Sequence, residues 1–70
     1  MISYKPFLKL LIDRKLKKQD VMQVAGISKA TMAKMSTTEY VSLEVIDKLC
    51  AALNCQPGEL IEYIPAKEGE

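Results

Sequence analysis

The sequence predicts an all-α fold of five short helices, and three observations predict it. Apolar residues recur at helical spacing through most of the chain. Residues that start helices (Ser28, Ser42, Pro57) and stop them (Gly26, Asn54) punctuate that pattern. Seventy residues with 49% hydrophobic and 27% charged content suit one modest core, because a chain this short buries only about 60% of the surface its unfolded form exposes.

Helix 1 is expected over Tyr4 to Arg14. Pro6 is tolerated in a first turn, where backbone N–H groups lack partners anyway, and Phe7, Leu8, Leu11 and Ile12 follow at helical spacing. Leu16 plugs the connection to helix 2, which runs from Lys18 to Ala25 with Val21, Met22 and Ala25 inward. Gly26 stops it, since glycine adopts the left-handed conformation without steric cost. Ile27 is a buried pivot. Ser28 is a good N-cap for helix 3, from Lys29 to about Met35, with Met32 and Met35 inward.

Helix 4 begins after Ser42, with Val41 and Ile46 placed as a hydrophobic staple. Ile46, Leu49, Cys50 and Leu53 form an i, i+3, i+4, i+7 face. Asn54 stops this helix, and Pro57 starts a short helix 5 carrying Glu59, Leu60, Ile61, Tyr63 and Ile64. The two ends, Met1 to Tyr4 and Glu62 to Ile64, are also compatible with pairing as short extended segments. One domain is expected over residues 1–65, with a frayed tail at 66–70.

The composition narrows the function. No apolar run approaches the roughly 18 residues of a membrane span, and the apolar start at Phe7 to Ile12 reads as a helix, not a signal peptide. Two cysteines and no histidine make neither a disulfide framework nor a zinc ligand set, so the expected compartment is the cytoplasm. Asp13, Glu39 and Glu44 lack a nucleophile, histidine or metal partner, and no Gly-rich phosphate loop is present. An enzyme is not expected, nor a cofactor or small-molecule ligand, nor at this length a separate sensing or catalytic domain.

Charge is segregated. Residues 1–35 carry eight Lys or Arg against two Asp, whereas residues 36–70 carry two Lys against seven acidic residues. The net charge of +1 therefore hides a basic half suited to phosphates.

The segment 18–35 is two short helices joined by Gly26-Ile27-Ser28, which is helix-turn-helix spacing. Such a unit offers its second helix to the DNA major groove while the first crosses the backbone. Lys29, Ala30 and Lys34 are then the candidate base contacts, as lysine can donate to guanine and an alanine methyl can touch thymine. Lys17, Lys18, Ser28, Thr31, Thr37 and Thr38 are the candidate phosphate contacts. Leu60, Ile61, Tyr63 and Ile64 are more apolar than a terminal helix needs, and are the candidate dimer interface.

The stretches KKQDVMQVAGISKATMAKM and YVSLEVIDKLCAALNCQPGELIEYIP resemble the lambda-repressor/Cro-like helix-turn-helix proteins, in particular the short bacterial regulators of that class (the xenobiotic-response-element type). The resemblance covers about residues 4–65. It implies a five-helix DNA-binding domain, readout through helix 3, and a homodimer on a two-fold symmetric site in double-stranded DNA. A transcriptional regulator is expected, in the first instance a repressor. Departures from the family pattern are Met22 in place of alanine, Ala25 in place of a larger residue, Lys18 in place of glutamine, and Ser36-Thr37-Thr38 in place of Glu-x-Gly. A second expectation, favoured by the apolar and acidic C-terminal third, is a helical protein-interaction module or antitoxin-like adaptor on the same fold.

Overall fold

The computed structural model describes residues 1–37 and 39–65. The phosphate role expected of Thr38 and the frayed tail expected at 66–70 lie outside the described residues. The elements are β1 (Ile2–Ser3), α1 (Lys5–Asp13), α2 (Lys18–Ala25), α3 (Lys29–Met35), α4 (Leu43–Leu53), a 3-10 turn (Pro57–Glu59) and β2 (Glu62–Tyr63). The strands form an antiparallel ribbon with Ile2 opposite Tyr63 and Ser3 opposite Glu62.

The expected fifth α-helix is therefore a single 3-10 turn followed by a strand. Its physical cause lies at the other end of the chain. The Tyr4 side chain does not cap α1; Ser3 Oγ accepts from the Lys5 N–H at 3.2 Å, and the N–H of Phe7 takes the carbonyl of Leu60 at 3.2 Å. The Leu60 carbonyl is thus directed at α1 and not along a continuing helix. Beyond it the two termini hold each other: the Ile64 N–H donates to the Met1 carbonyl at 2.8 Å, and the N-terminal ammonium donates to the Ile64 carbonyl at 2.7 Å. Tyr4, expected inside helix 1, is its N-cap residue; its ring is buried and its hydroxyl donates to the Glu39 carbonyl at 2.6 Å.

Three helices stop in the same way. A left-handed residue follows each, namely Lys15 (φ 56°), Gly26 (φ 68°) and Asn54 (φ 51°). The next N–H then reaches back five residues, from Leu16 to the Leu11 carbonyl, from Ile27 to Met22 and from Cys55 to Cys50. This six-to-one hydrogen bond characterises the Schellman stop, which frequently carries a contact between the side chains at its two ends.

The core is Tyr4, Phe7, Leu11, Val21, Ala25, Ile27, Met32, Met35, Ile46, Leu49, Leu53, Cys55 and Leu60. Leu16, Met22 and Val41 are half-buried against it. Met22 and Ala25 thus divide between them the space beside the turn, as cores allow when total volume is kept. Ile12 departs from expectation: it is 76% exposed. It lies about one and a third turns beyond Phe7, outside the face that Phe7 and Leu11 define. No helix among the described residues is long and apolar enough to cross a membrane.

Candidate nucleic-acid interface

The segment 18–35 folds as two helices at a fixed angle because each local signal is used. Asp20 accepts from the Lys17 N–H at 3.1 Å and closes the start of α2. Gly26 turns the chain, and both its N–H and that of Ile27 reach the Met22 carbonyl, at 3.0 and 3.2 Å. Ser28 caps α3 by accepting from the Thr31 N–H at 3.1 Å. Burial of Val21, Ala25, Ile27, Met32 and Met35 then fixes α3 to the body of the protein.

What α3 leaves outside is the candidate reading surface. Lys29, Ala30, Ala33 and Lys34 are exposed and Thr31 is half-buried. Lys29, Ala30 and Lys34 are thus brought onto one solvent-facing side, as the spacing predicts. Ala33 belongs with them and was not foreseen. Its spacing carries the signal, three residues after Ala30 and four after Lys29.

The candidate phosphate contacts are less uniform. The ammonium of Lys18 donates to Ser36 Oγ at 2.8 Å, which ties the start of α2 to the end of α3. Ser36 in turn donates to the Met32 carbonyl at 3.2 Å. No sequence signal marked Ser36 as a partner of a residue 18 positions earlier. Ser28 spends its hydroxyl proton on Thr31 Oγ1 at 3.0 Å, leaving the Thr31 hydroxyl as the available donor. Thr37 donates to the Lys34 carbonyl at 2.9 Å and accepts from the Glu39 N–H at 3.2 Å, so it closes α3 first. Lys17 is exposed at the start of α2.

One cation of the basic half is used internally. Arg14 donates its guanidinium to the Leu53 carbonyl at the end of α4, where the helix dipole favours positive charge. Among the described residues no cluster of three His, Cys, Asp or Glu side chains can hold a metal.

This arrangement is a two-helix unit with a capped second helix that carries Lys29 and Lys34 outward. The family model of the Cro/C1-type helix-turn-helix DNA-binding domain matches residues 7–66. The chain belongs to that family. It is a DNA-binding transcription regulator, from a class of regulators and not of enzymes. One relative of this Cro/C1-type protein is the uncharacterized HTH-type transcriptional regulator YozG of Bacillus subtilis (strain 168). The two are 30% identical over 56 residues, which span 77% of this chain and 67% of the relative. The crystal structure of the transcriptional regulator VanUg (Form II) matches with a TM-score of 0.87 at 45% identity, over 93% of this chain and 87% of that one.

The expected dimer residues divide. Leu60 is 0% exposed within a single chain; it is a core residue, corrected from the expected interface, because its carbonyl caps α1 and its side chain follows inward. Ile61 and Ile64 are half-buried, and Tyr63 is 69% exposed. Tyr40 and Leu43 join the apolar surface near Ile61: the three line one hollow with Ile2, Tyr4, Val41 and Ile46.

Proposed function

We propose that this Cro/C1-type protein is a homodimeric repressor that reads the major groove of double-stranded DNA through α3. The observation that carries this reading is the two-sided character of α3, with Met32 and Met35 buried and Lys29, Ala30, Ala33 and Lys34 exposed. Lysine donates to guanine O6 and N7, and the two alanine methyls suit the thymine methyl. Lys17, Lys18 and Thr31 contact phosphates, with Lys18 exchanging its bond to Ser36 for a phosphate oxygen. One such module buries only about 600–1,000 Å² on DNA, so pairing two copies is the direct route to useful affinity. The surface for pairing is Ile61, Tyr63 and Ile64 with Tyr40 and Leu43; Leu43 is 82% exposed. Two copies of α3 about 34 Å apart then read half-sites one turn apart. Repression needs no contact beyond occupancy of the site. The reduced thiols Cys50 and Cys55 fit action in the cytoplasm.

The experiment is selection of bound duplexes from a random pool, with wild type beside Lys29→Ala/Lys34→Ala. Enrichment of a two-fold symmetric motif by the wild type alone is the expected result. No enrichment by either protein overturns the reading and favours a protein-interaction module.

A further inference from the structure

Three helices end in the same six-to-one stop, a motif that frequently carries a contact between the side chains at its two ends. At α1 the pair is Leu11 and Leu16, and at α2 it is Met22 and Ile27. Both are apolar pairs: Leu11 and Ile27 are core residues, and Leu16 and Met22 pack against that core. At α4 the pair is Cys50 and Cys55, joined through the Cys55 N–H on the Cys50 carbonyl at 3.1 Å. Asn54, at φ 51° and ψ 56°, holds the turn between them. Both cysteines are free thiols, and both line one surface depression with Leu43, Ile46, Asp47, Gln56 and Pro57. A stop used twice by apolar pairs is occupied here by two groups able to bond covalently.

We propose that Cys50 and Cys55 are a paired modification site that closes reversibly to an intramolecular disulfide when a hydroperoxide is present. Cys50 is half-buried and Cys55 is buried, so peroxide reaches Cys50 first. The Cys50 thiolate attacks one peroxide oxygen; the O–O bond breaks, hydroxide (or alkoxide) leaves, and the Cys50 sulfenic acid forms. The Cys55 sulfur then displaces hydroxyl from Cys50 sulfur, and the S–S bond forms as water departs with the Cys55 proton. The two thiols lose two protons and two electrons, and the peroxide is reduced to water (or alcohol and water). Burial and the neighbouring Cys50 push the Cys55 thiol upward in pKa, which disfavours it as the first attacker. Reduction by a cellular dithiol reverses the change.

The bond clamps the exit of α4. That exit also receives Arg14 on the Leu53 carbonyl, and α4 is the helix on which α2 rests. Closure therefore ties down the platform beneath the two-helix unit without touching α3.

The test is equilibration of the full chain in glutathione redox buffers, natively and in denaturant, read by intact mass after acid quenching and alkylation. A preorganised pair closes natively at an oxidant ratio about tenfold lower than in denaturant, on the order of 30 mV for this two-electron couple. The expected native product has lost two hydrogens and resists alkylation at both cysteines. Peroxide yields the same product, and Cys55→Ser yields instead a Cys50 sulfenic acid or glutathione adduct. A native protein that gives only a Cys50 adduct overturns the proposal, as does one whose disulfide forms no more readily than in denaturant. So does a covalent dimer through Cys50.

Discussion

The ammonium of Lys18 and the hydroxyl of Ser36 meet at 2.8 Å, joining the first residue of α2 to the residue that closes α3. One bond thus spans the two ends of the helix pair on its exposed side. It places a cation at the edge of the α3 surface and holds it there before any DNA arrives. An exposed bond of this kind adds little to stability; its value is in positioning. Lys18→Ala should weaken binding to all DNA sequences alike and flatten the salt dependence by about one unit. Ser36→Ala should leave thermal stability within about 0.5 kcal/mol of wild type and leave the salt slope unchanged. Titrations across a range of salt check both, and an unchanged slope for Lys18→Ala removes the phosphate role.

Lys29 differs from Lys18 in what its loss should do. Lys29→Ala should cost about 1–3 kcal/mol on the preferred site and relax the preference at one base position. The check is the selected motif: a mutant motif identical to that of the wild type takes Lys29 out of the base readout.

Gly26 tests the turn. A Cβ added there meets nothing within 4 Å, but the backbone sits at φ +68°. Gly26→Ala should therefore cost about 1–2 kcal/mol through conformation alone. Gly26→Asn should cost less, since asparagine already holds the same conformation at Asn54, with φ 51°. Denaturant unfolding of the two variants measures the difference; equal losses would point to packing and not to φ.

Leu60 and Tyr63 separate core from interface. Leu60→Ala empties a fully buried site and should cost about 2–5 kcal/mol of folding stability. Tyr63→Ser removes an exposed ring and should leave the monomer within about 0.5 kcal/mol while weakening self-association. Sedimentation of the Tyr63 variant at several concentrations reads the dimer directly, and wild-type association would place the interface elsewhere.

Tyr4 supplies a pH dependence. Burial pushes its phenol pKa upward, so the folded state holds the proton that the unfolded chain releases first. The stability this contributes is complete below the unfolded value and declines as pH rises through the folded one. Cys55, also raised by burial, adds to the loss at the lower end of the window. Unfolding free energy should begin to fall above about pH 8.5 and fall more steeply above about pH 10. Tyr4→Phe should lower stability at neutral pH by about 0.5–1.5 kcal/mol, through loss of the bond to the Glu39 carbonyl, and should shrink that alkaline fall. A fall of the same size in the variant would exclude Tyr4 as its source.

Most of the helix pair was legible because its signals are local. Gly26 needs a left-handed backbone, Ser28 needs a free N–H three residues on, and both are met within the segment. The same holds for Ser42, whose hydroxyl accepts from the Val45 N–H at 3.3 Å. The outward set on α3 followed from periodicity, and only Ala33 escaped it. Ser36 and Arg14 were not legible, because their partners, Lys18 and Leu53, lie far away in sequence.

The sequence by itself determined where α2, α3 and α4 begin and end, which of their faces turn inward, and which residues α3 offers to solvent. Those features depend on contacts within a few residues, where side-chain chemistry and backbone preference act together. Only the tertiary structure decided the fate of the apolar string from Leu60 to Ile64. Its spacing suits a helix, yet the open N–H of Phe7 and the first strand draw it into a 3-10 turn and a β-pairing. The choice rests on backbone groups nearly the length of the chain apart, and backbone groups carry no sequence label.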